Sequence, residues 1–368
     1  MLEKGKVSSY QGIFLLLFTV VVSTAVLFVP EITAINAGRN SWISVLVVAT
    51  AYGLLTALVI IKLGKIFPDK TLIEYLPIIL GPILGKIIGA AYIFWFIHFN
   101  SVIVREFGDL LLTSFMPETP LISFIIILLI LGAWATKEGL EVICRTNEFI
   151  FPFFILSVTF IFILTVHDAD FTRLLPVMEH GMKPVIRGAW TPMAWRGQVI
   201  VATMFFPYLK DANNAGKFLT YSIFLMGFVL TIATMFTTAM LGELTPYLTF
   251  PFFELARCVS IGRFFERMEA LVLVMWVAGV TVKVATYYYI SALGTAQLLG
   301  LSDYRPIVFP IGLLLGIWSL ELFQNSSELI EWVTKVFPIY AYLFEIGIPL
   351  LLLIVALLRK KGGKNNNV

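Results

Sequence analysis

Apolar residues in this chain do not alternate with polar ones; they run on in blocks separated by short charged turns. A membrane-spanning helix needs about 20 predominantly apolar residues. Blocks of that kind fall near 11–35, 41–63, 84–113, 121–136, 148–166, 190–209, 218–242, 268–299, 306–322 and 336–358. The pattern predicts an all-α integral membrane protein of about ten transmembrane helices, with the fourth short and the third and eighth long enough to tilt. Two spans weaken halfway. In span 1 the apolar run 13–22 gives way to Ser23-Thr24-Ala25-Val26, then Pro30, and the chain surfaces at Asn36-Ala37-Gly38-Arg39-Asn40. In span 6, Arg196-Gly197-Gln198 precedes Pro207. Loosened backbone inside a membrane is tolerated only against protein or a cavity. Corresponding weak points in the two halves point to a five-plus-five inverted repeat with broken helices 1 and 6 around a midplane site. An intact helix whose hydroxyls bond back to its own carbonyls also fits Ser23 and Thr24. The whole chain reads as one membrane domain, 1–368, with a first repeat about 11–166, a second about 190–358, and a tail 359–368.

Composition supports the membrane reading and leaves no room for a soluble domain. Hydrophobic residues make up 59% and charged residues 13%, against about 25% charged in soluble domains. No small-residue cleavage site follows the first apolar run, so span 1 is expected to stay as an anchor. The net charge of +3 hides an asymmetry. Alternating the spans puts about 15 Lys and Arg on the side of both termini, from Lys4 and Lys6 through Lys137, Arg145 and Arg305 to Lys364, and about eight on the other. The positive-inside rule then places the N- and C-termini in the cytoplasm. Cys144 and Cys258 are expected in loops on opposite faces, which excludes a mutual disulfide. Two longer loops are expected outside: 167–189, and 243–267 with its Phe250-Pro251-Phe252-Phe253 run, read as a short helix over the external mouth because so much apolar surface is costly in water.

Ionisable residues inside spans should face the bundle interior, since one at the bilayer centre costs about 2.5–3.5 kcal/mol on insertion scales. In span 3, His98, Ser101, Arg105 and Asp109 share one helical stripe. Arg105 and Asp109 can neutralise each other at (i, i+4). Two readings fit His98: a neutral imidazole holding a neighbouring carbonyl, or a proton relay. Lys283 lies near the middle of span 8 beside Thr286 and Tyr287, too deep to snorkel easily. Glu345 in span 10 is its nearest counter-ion by depth, and a structural Lys–Glu pair is one reading of the two.

Specific stretches add a resemblance. Phe28-Val29-Pro30 with Ala37-Gly38-Arg39-Asn40-Ser41-Trp42-Ile43-Ser44 resembles the start of the B subunit of bacterial spore germinant receptors. That family is a branch of the amino acid–polyamine–organocation (APC) transporter superfamily, with its LeuT-like fold. Similar matches follow in order: Leu76-Pro77 with Gly81 and Leu84-Gly85-Lys86; Arg105-Glu106-Phe107; Pro117-Glu118-Thr119-Pro120-Leu121; Gly139-Leu140-Glu141-Val142-Ile143-Cys144-Arg145-Thr146-Asn147-Glu148, the most specific; Leu175-Pro176-Val177-Met178-Glu179 with Gly181; and Glu269-Ala270, Trp276, Lys283 and Asp303-Tyr304-Arg305-Pro306. The chain departs from its relatives at Ser23-Thr24-Ala25, where they carry a Gly-Thr-Gly-like break. The resemblance implies the spore inner membrane, A and C receptor subunits as partners, and a small germinant, commonly an amino acid, between helices 1, 3, 6 and 8. It further implies that Lys283 takes the place of the coupling cation that helices 1 and 8 hold in sodium-driven relatives.

Ligand-binding candidates are therefore Ser23, Thr24, Ala25, Val26, Ser101, Gly197, Gln198 and Tyr287, and cation-site or gating candidates are His98, Arg105, Lys283 and Glu345. No phosphate-cradling glycine loop, metal-ligand spacing or nucleophile–base arrangement points to an enzyme. No metal or other cofactor is expected, and the basic residues are a topology signal rather than a nucleic-acid surface. The expected function is germinant sensing; the alternative is a working proton-coupled amino acid symporter.

Overall fold

The computed structural model describes residues 6–258 and 268–359. Arg263, Arg267, Lys4 and the tail lysines Lys360, Lys361 and Lys364 lie outside them. The described chain is helical almost throughout, with one isolated bridge between Val7 and Leu209.

Among the described residues seven stretches are long and apolar enough to cross a membrane, and the first, Tyr10–Ile66, folds back on itself at Gly38 to make two legs. Span 1 is Leu16–Ala37, entered through a π-helical turn at Tyr10–Leu15; span 2 is Thr50–Ile66, entered through another at Ser44–Ala49. Gly38 has φ +51°, a left-handed conformation that costs glycine little. Spans 3, 4 and 5 are Pro82–Ser114, Leu121–Glu138 and Leu140–Thr165. Span 6 is Trp190–Gly197, tightening into a 3-10 helix over Gln198–Met204. Spans 7, 8 and 9 are Ala215–Leu241, Met268–Leu299 and Arg305–Glu321, and span 10 lies within Ser326–Leu358. Spans 6 and 9 are too short or too irregular to qualify as apolar helices by length alone, and they complete the expected ten.

Two boundaries differ from the hydropathy reading. Span 5 begins at Leu140 rather than near 148, because Glu141 and Arg145 pair at 2.6 Å one turn apart and extend the helix beyond its apolar run. Cys144 is therefore on this helix and fully buried, not in a loop. Span 10 begins near Ser326 rather than 336, where Asn325 caps the helix by accepting from Glu328 N at 3.0 Å. Gly139, at φ +95°, separates spans 4 and 5 without a longer loop, which explains the glycine heading the Gly139-Leu140-Glu141 stretch.

Span 1 is the most enclosed helix, with Leu16 to Ala34 buried all round. A helix apolar on every side belongs in the centre of a bundle. It packs against spans 6, 7 and 8, while span 8 also touches spans 3, 4, 5 and 9. The short helix Pro251–Arg257 closes one end of this core with Phe252 and Phe253 buried, and Phe250 meets Phe28 of span 1 edge-on at 5.4 Å. Outer spans carry the exposed apolar side chains, among them Ile130, Trp134, Phe149 and Phe309, as a lipid-facing surface requires.

The orientation is tested by single cysteines placed in the 167–189 loop and at Arg359, in a protein with Cys144 and Cys258 replaced. An impermeant thiol reagent should label only the loop in intact cells. Labelling at position 359 instead would invert the topology.

Candidate functional site

The centre of the bundle is organised on one hydroxyl. Thr24 Oγ1 of span 1 accepts from Lys283 Nζ of span 8 at 2.7 Å and from Trp195 Nε1 of span 6 at 3.2 Å. Lys283 is fully buried, and its Nζ lies 5.5 Å from the centre of the Phe99 ring of span 3, within cation–π range. Spans 1 and 8 approach closely beside this junction: a Cβ at Gly279 would come within 3.1 Å of Ser23 Cβ. Aromatic rings pave the surroundings. Phe99 stacks on Phe337 at 5.1 Å and meets Tyr287 edge-on at 5.2 Å, and Trp195 lies 5.8 Å from Phe337 and 6.2 Å from Phe28.

Span 1 is α-helical through Ser23, Thr24, Ala25 and Val26, so the unwound segment expected there is absent. Ser23-Thr24-Ala25 contains no glycine to lower helix stability, and burial on all sides rewards the regular backbone. The N–H and C=O groups of these residues are therefore spent within the helix, which leaves recognition to side chains. Span 6 does change at its expected weak point, from α to 3-10 after Gly197. A Cβ at Gly197 would overlap the carboxylate of Glu345, so glycine there lets spans 6 and 10 meet. Glu345 sits in a π-helical turn, Leu343–Gly347. Such turns recur at functional positions because they re-aim one side chain.

The other expected residues divide into two groups. Gln198 and Tyr287 are fully buried near the junction, and neither their polar atoms nor Ser23 Oγ and both Glu345 oxygens have a hydrogen-bond partner among the described residues. The direct Lys283–Glu345 pair expected from depth is therefore not formed. Glu106 of span 3 is a second buried carboxylate. Glu106 was legible only as part of a motif, although it stands seven residues from Phe99 and so on the same face of span 3.

The second group lies apart. His98 is held among Phe94, Trp318, Trp332 and Tyr340, with ring centres at 5.5–6.1 Å, which places it against spans 9 and 10. Arg105 pairs with Asp109 at 2.9 Å and donates to the Ser319 and Leu320 carbonyls at 3.2 Å each. It thereby satisfies orphan carbonyls at the end of span 9. Ser101 donates to Ile97 O of its own helix at 3.0 Å. Arg196 is buried against Gly53, and none of its guanidinium nitrogens has a partner among the described residues. Trp195, which closes the Thr24 junction, was not anticipated: a tryptophan in an apolar run carries no signal of its donor's target.

Residues 6–327 match the family model described as "Spore germination protein". The chain belongs to the spore germination protein family. Within it, the chain is 27% identical over 357 residues to spore germination protein KB of Bacillus subtilis (strain 168), covering 95% of this chain and 94% of that one. It is 27% identical over 359 residues to putative spore germination protein YfkT of the same organism, covering 94% and 95%. Solved transporter structures share the fold, two of them as follows. A Na+-coupled sialic acid symporter in a substrate-bound outward-open state superposes with a TM-score of 0.64 at 11% identity, over 94% of this chain and 79% of that one. Mhp1, a nucleobase-cation-symport-1 family transporter in a closed conformation, gives 0.65 at 14% identity, over 98% and 82%. This spore germination protein is thus a membrane protein with the five-plus-five helical fold of those transporters.

Proposed function

We propose that this chain is the B subunit of a spore germinant receptor: it binds a small germinant, an amino acid, in the transporter-like site between spans 1, 3, 6 and 8, and passes the event to A and C subunits in the spore inner membrane. The observation that carries the reading is the Thr24 junction, a buried lysine bonded from span 8 to span 1 and closed by Trp195 of span 6. A ligand entering there touches the three helices that must move relative to one another in a transporter fold. It signals only by binding one arrangement better than the other; driving a 1:99 equilibrium to 99:1 takes about 10⁴-fold differential affinity. In the Na+-coupled neighbour a cation serves the fold. Here the Lys283 ammonium, fixed in the protein, takes the place of a bound sodium ion, so binding needs no sodium.

Reconstitution tests this. The purified protein is screened against single amino acids, sugars and nucleosides by thermal shift, and the hit is followed in proteoliposomes under a pH gradient. Saturable binding without accumulation is expected; accumulation would make the protein a proton-coupled symporter, and neither would leave it a structural partner. Ala25 is fully buried on span 1 beside Thr24, so Ala25→Phe should fill the site and abolish the germination response while the protein remains in the membrane. A normal response in that variant would move the site elsewhere.

A further inference from the structure

Spans 4 and 9 do not close against each other on the outside of the bundle. Between them runs a groove of about 420 Å³, floored by Ala133, Gly312 and Gly316 and walled by apolar side chains, with Lys137 at one end. From Ile122 to Lys137 it follows about 22 Å of helix at 1.5 Å per residue, longer than one leaflet of a hydrocarbon core about 30 Å thick. The rim residues Ile130, Phe309 and Ile317 are exposed at 63%, 70% and 56%.

The charged end is built from two cations. Arg305, at the start of span 9, donates from Nε to Lys137 O at 3.0 Å, which brings its guanidinium beside the end of span 4. The carboxylates nearby in sequence are Glu138, adjoining Lys137; Asp303, which accepts from Arg305 N at 3.1 Å; and Glu141, which pairs with Arg145 at 2.6 Å. Neither Lys137 nor Arg305 has an ion-pair partner among the described residues.

The geometry points to a binding site for an anionic phospholipid, with one acyl chain in the span 4–span 9 groove and the phosphate on Lys137 and Arg305. Basic pockets between spans on the cytoplasmic side suit anionic head groups, and the orientation proposed above puts Lys137 on that side. A partner's transmembrane helix fits less well. Small residues normally invite a helix, but Gly312 is already used: Tyr288 Oη occupies the space a Cβ there would need and donates to Val308 O. The bulky rim keeps a second backbone away yet admits a narrow chain.

The test uses the full-length protein in detergent, with thermal stability followed as phosphatidylglycerol or phosphatidylcholine of identical acyl chains is added. Phosphatidylglycerol should bind more tightly, and Lys137→Gln, at an exposed position, should reduce its affinity about fivefold while leaving phosphatidylcholine unchanged. Gly316→Leu projects into the groove and should weaken both lipids. Equal response to the two lipids, or an unaltered phosphatidylglycerol preference in Lys137→Gln, would overturn the proposal. So would a Gly316→Leu variant that changes oligomeric state without changing lipid response, since the groove would then seat a second copy of the chain or another helix.

Discussion

Replacing Gly197 with alanine should destabilise the protein by about 1–3 kcal/mol, the usual cost of forcing atoms into a packed core, and should abolish the germinant response. The added Cβ would overlap the Glu345 carboxylate, which stands against the point where span 6 changes from α to 3-10. Either span 6 or span 10 has to move, and both border the site. Glu345→Ala removes the carboxylate and leaves a Cβ 2.9 Å from the new methyl, so rescue should be incomplete. The double variant should nevertheless cost less than the sum of the singles, with a coupling of about 0.5–3 kcal/mol expected for residues in contact. Strict additivity in denaturation of the purified proteins would show that spans 6 and 10 do not meet through these two residues.

The second large effect separates function from stability. Lys283→Met keeps most of the side chain's length and removes a buried charge that has no ion-pair partner among the described residues, so thermal stability should hold or rise, since burying an unpaired charge is costly. Ligand binding should nonetheless be lost, because the bond that joins span 8 to span 1 goes with it. Thr24→Val should behave in the opposite sense. It leaves the Lys283 nitrogen and the Trp195 N–H without their shared acceptor, and a lost hydrogen bond to a charged group costs about 1.5–3 kcal/mol. Adding Lys283→Met to Thr24→Val should recover part of that loss. If Lys283→Met proves the more damaging to stability, the lysine is structural. Glu345→Gln should resemble Lys283→Met only if the two charges are coupled, which the same double-mutant comparison measures.

Much of the fold was legible because a bilayer imposes a length rule on apolar runs. The ten spans, the short helix at Pro251, and the weak point at Gly197 all follow from hydropathy, proline and glycine. The starts of spans 5 and 10 were hidden by charge: Glu141, Arg145 and Glu148 look like a loop until their helical pairing is seen, and Asn325 caps a turn that carries two glutamates. The candidate site was legible one residue at a time. Lys283 and Glu345 stand out as charges in apolar runs, but what they touch is set by tertiary packing. Thr24 and Lys283 are 259 residues apart, and no local pattern pairs them. The same limit hid Trp195 and Glu106, and it let His98 and Arg105 look central when they brace spans 9 and 10. Continuity of span 1 was foreshadowed by the missing glycines, whose absence removes the residue type that most readily leaves a helix.

If Lys283 does permanently what a bound cation does in ion-coupled relatives of the fold, germinant binding is indifferent to sodium. Germinant-induced thermal stabilisation, titrated in sodium chloride and in choline chloride at equal ionic strength, tests that directly. The expected result is one binding curve in both salts for the unmodified protein and its loss in Lys283→Met. Sodium-dependent binding in the unmodified protein, with Lys283→Met binding as the unmodified protein does, would contradict it.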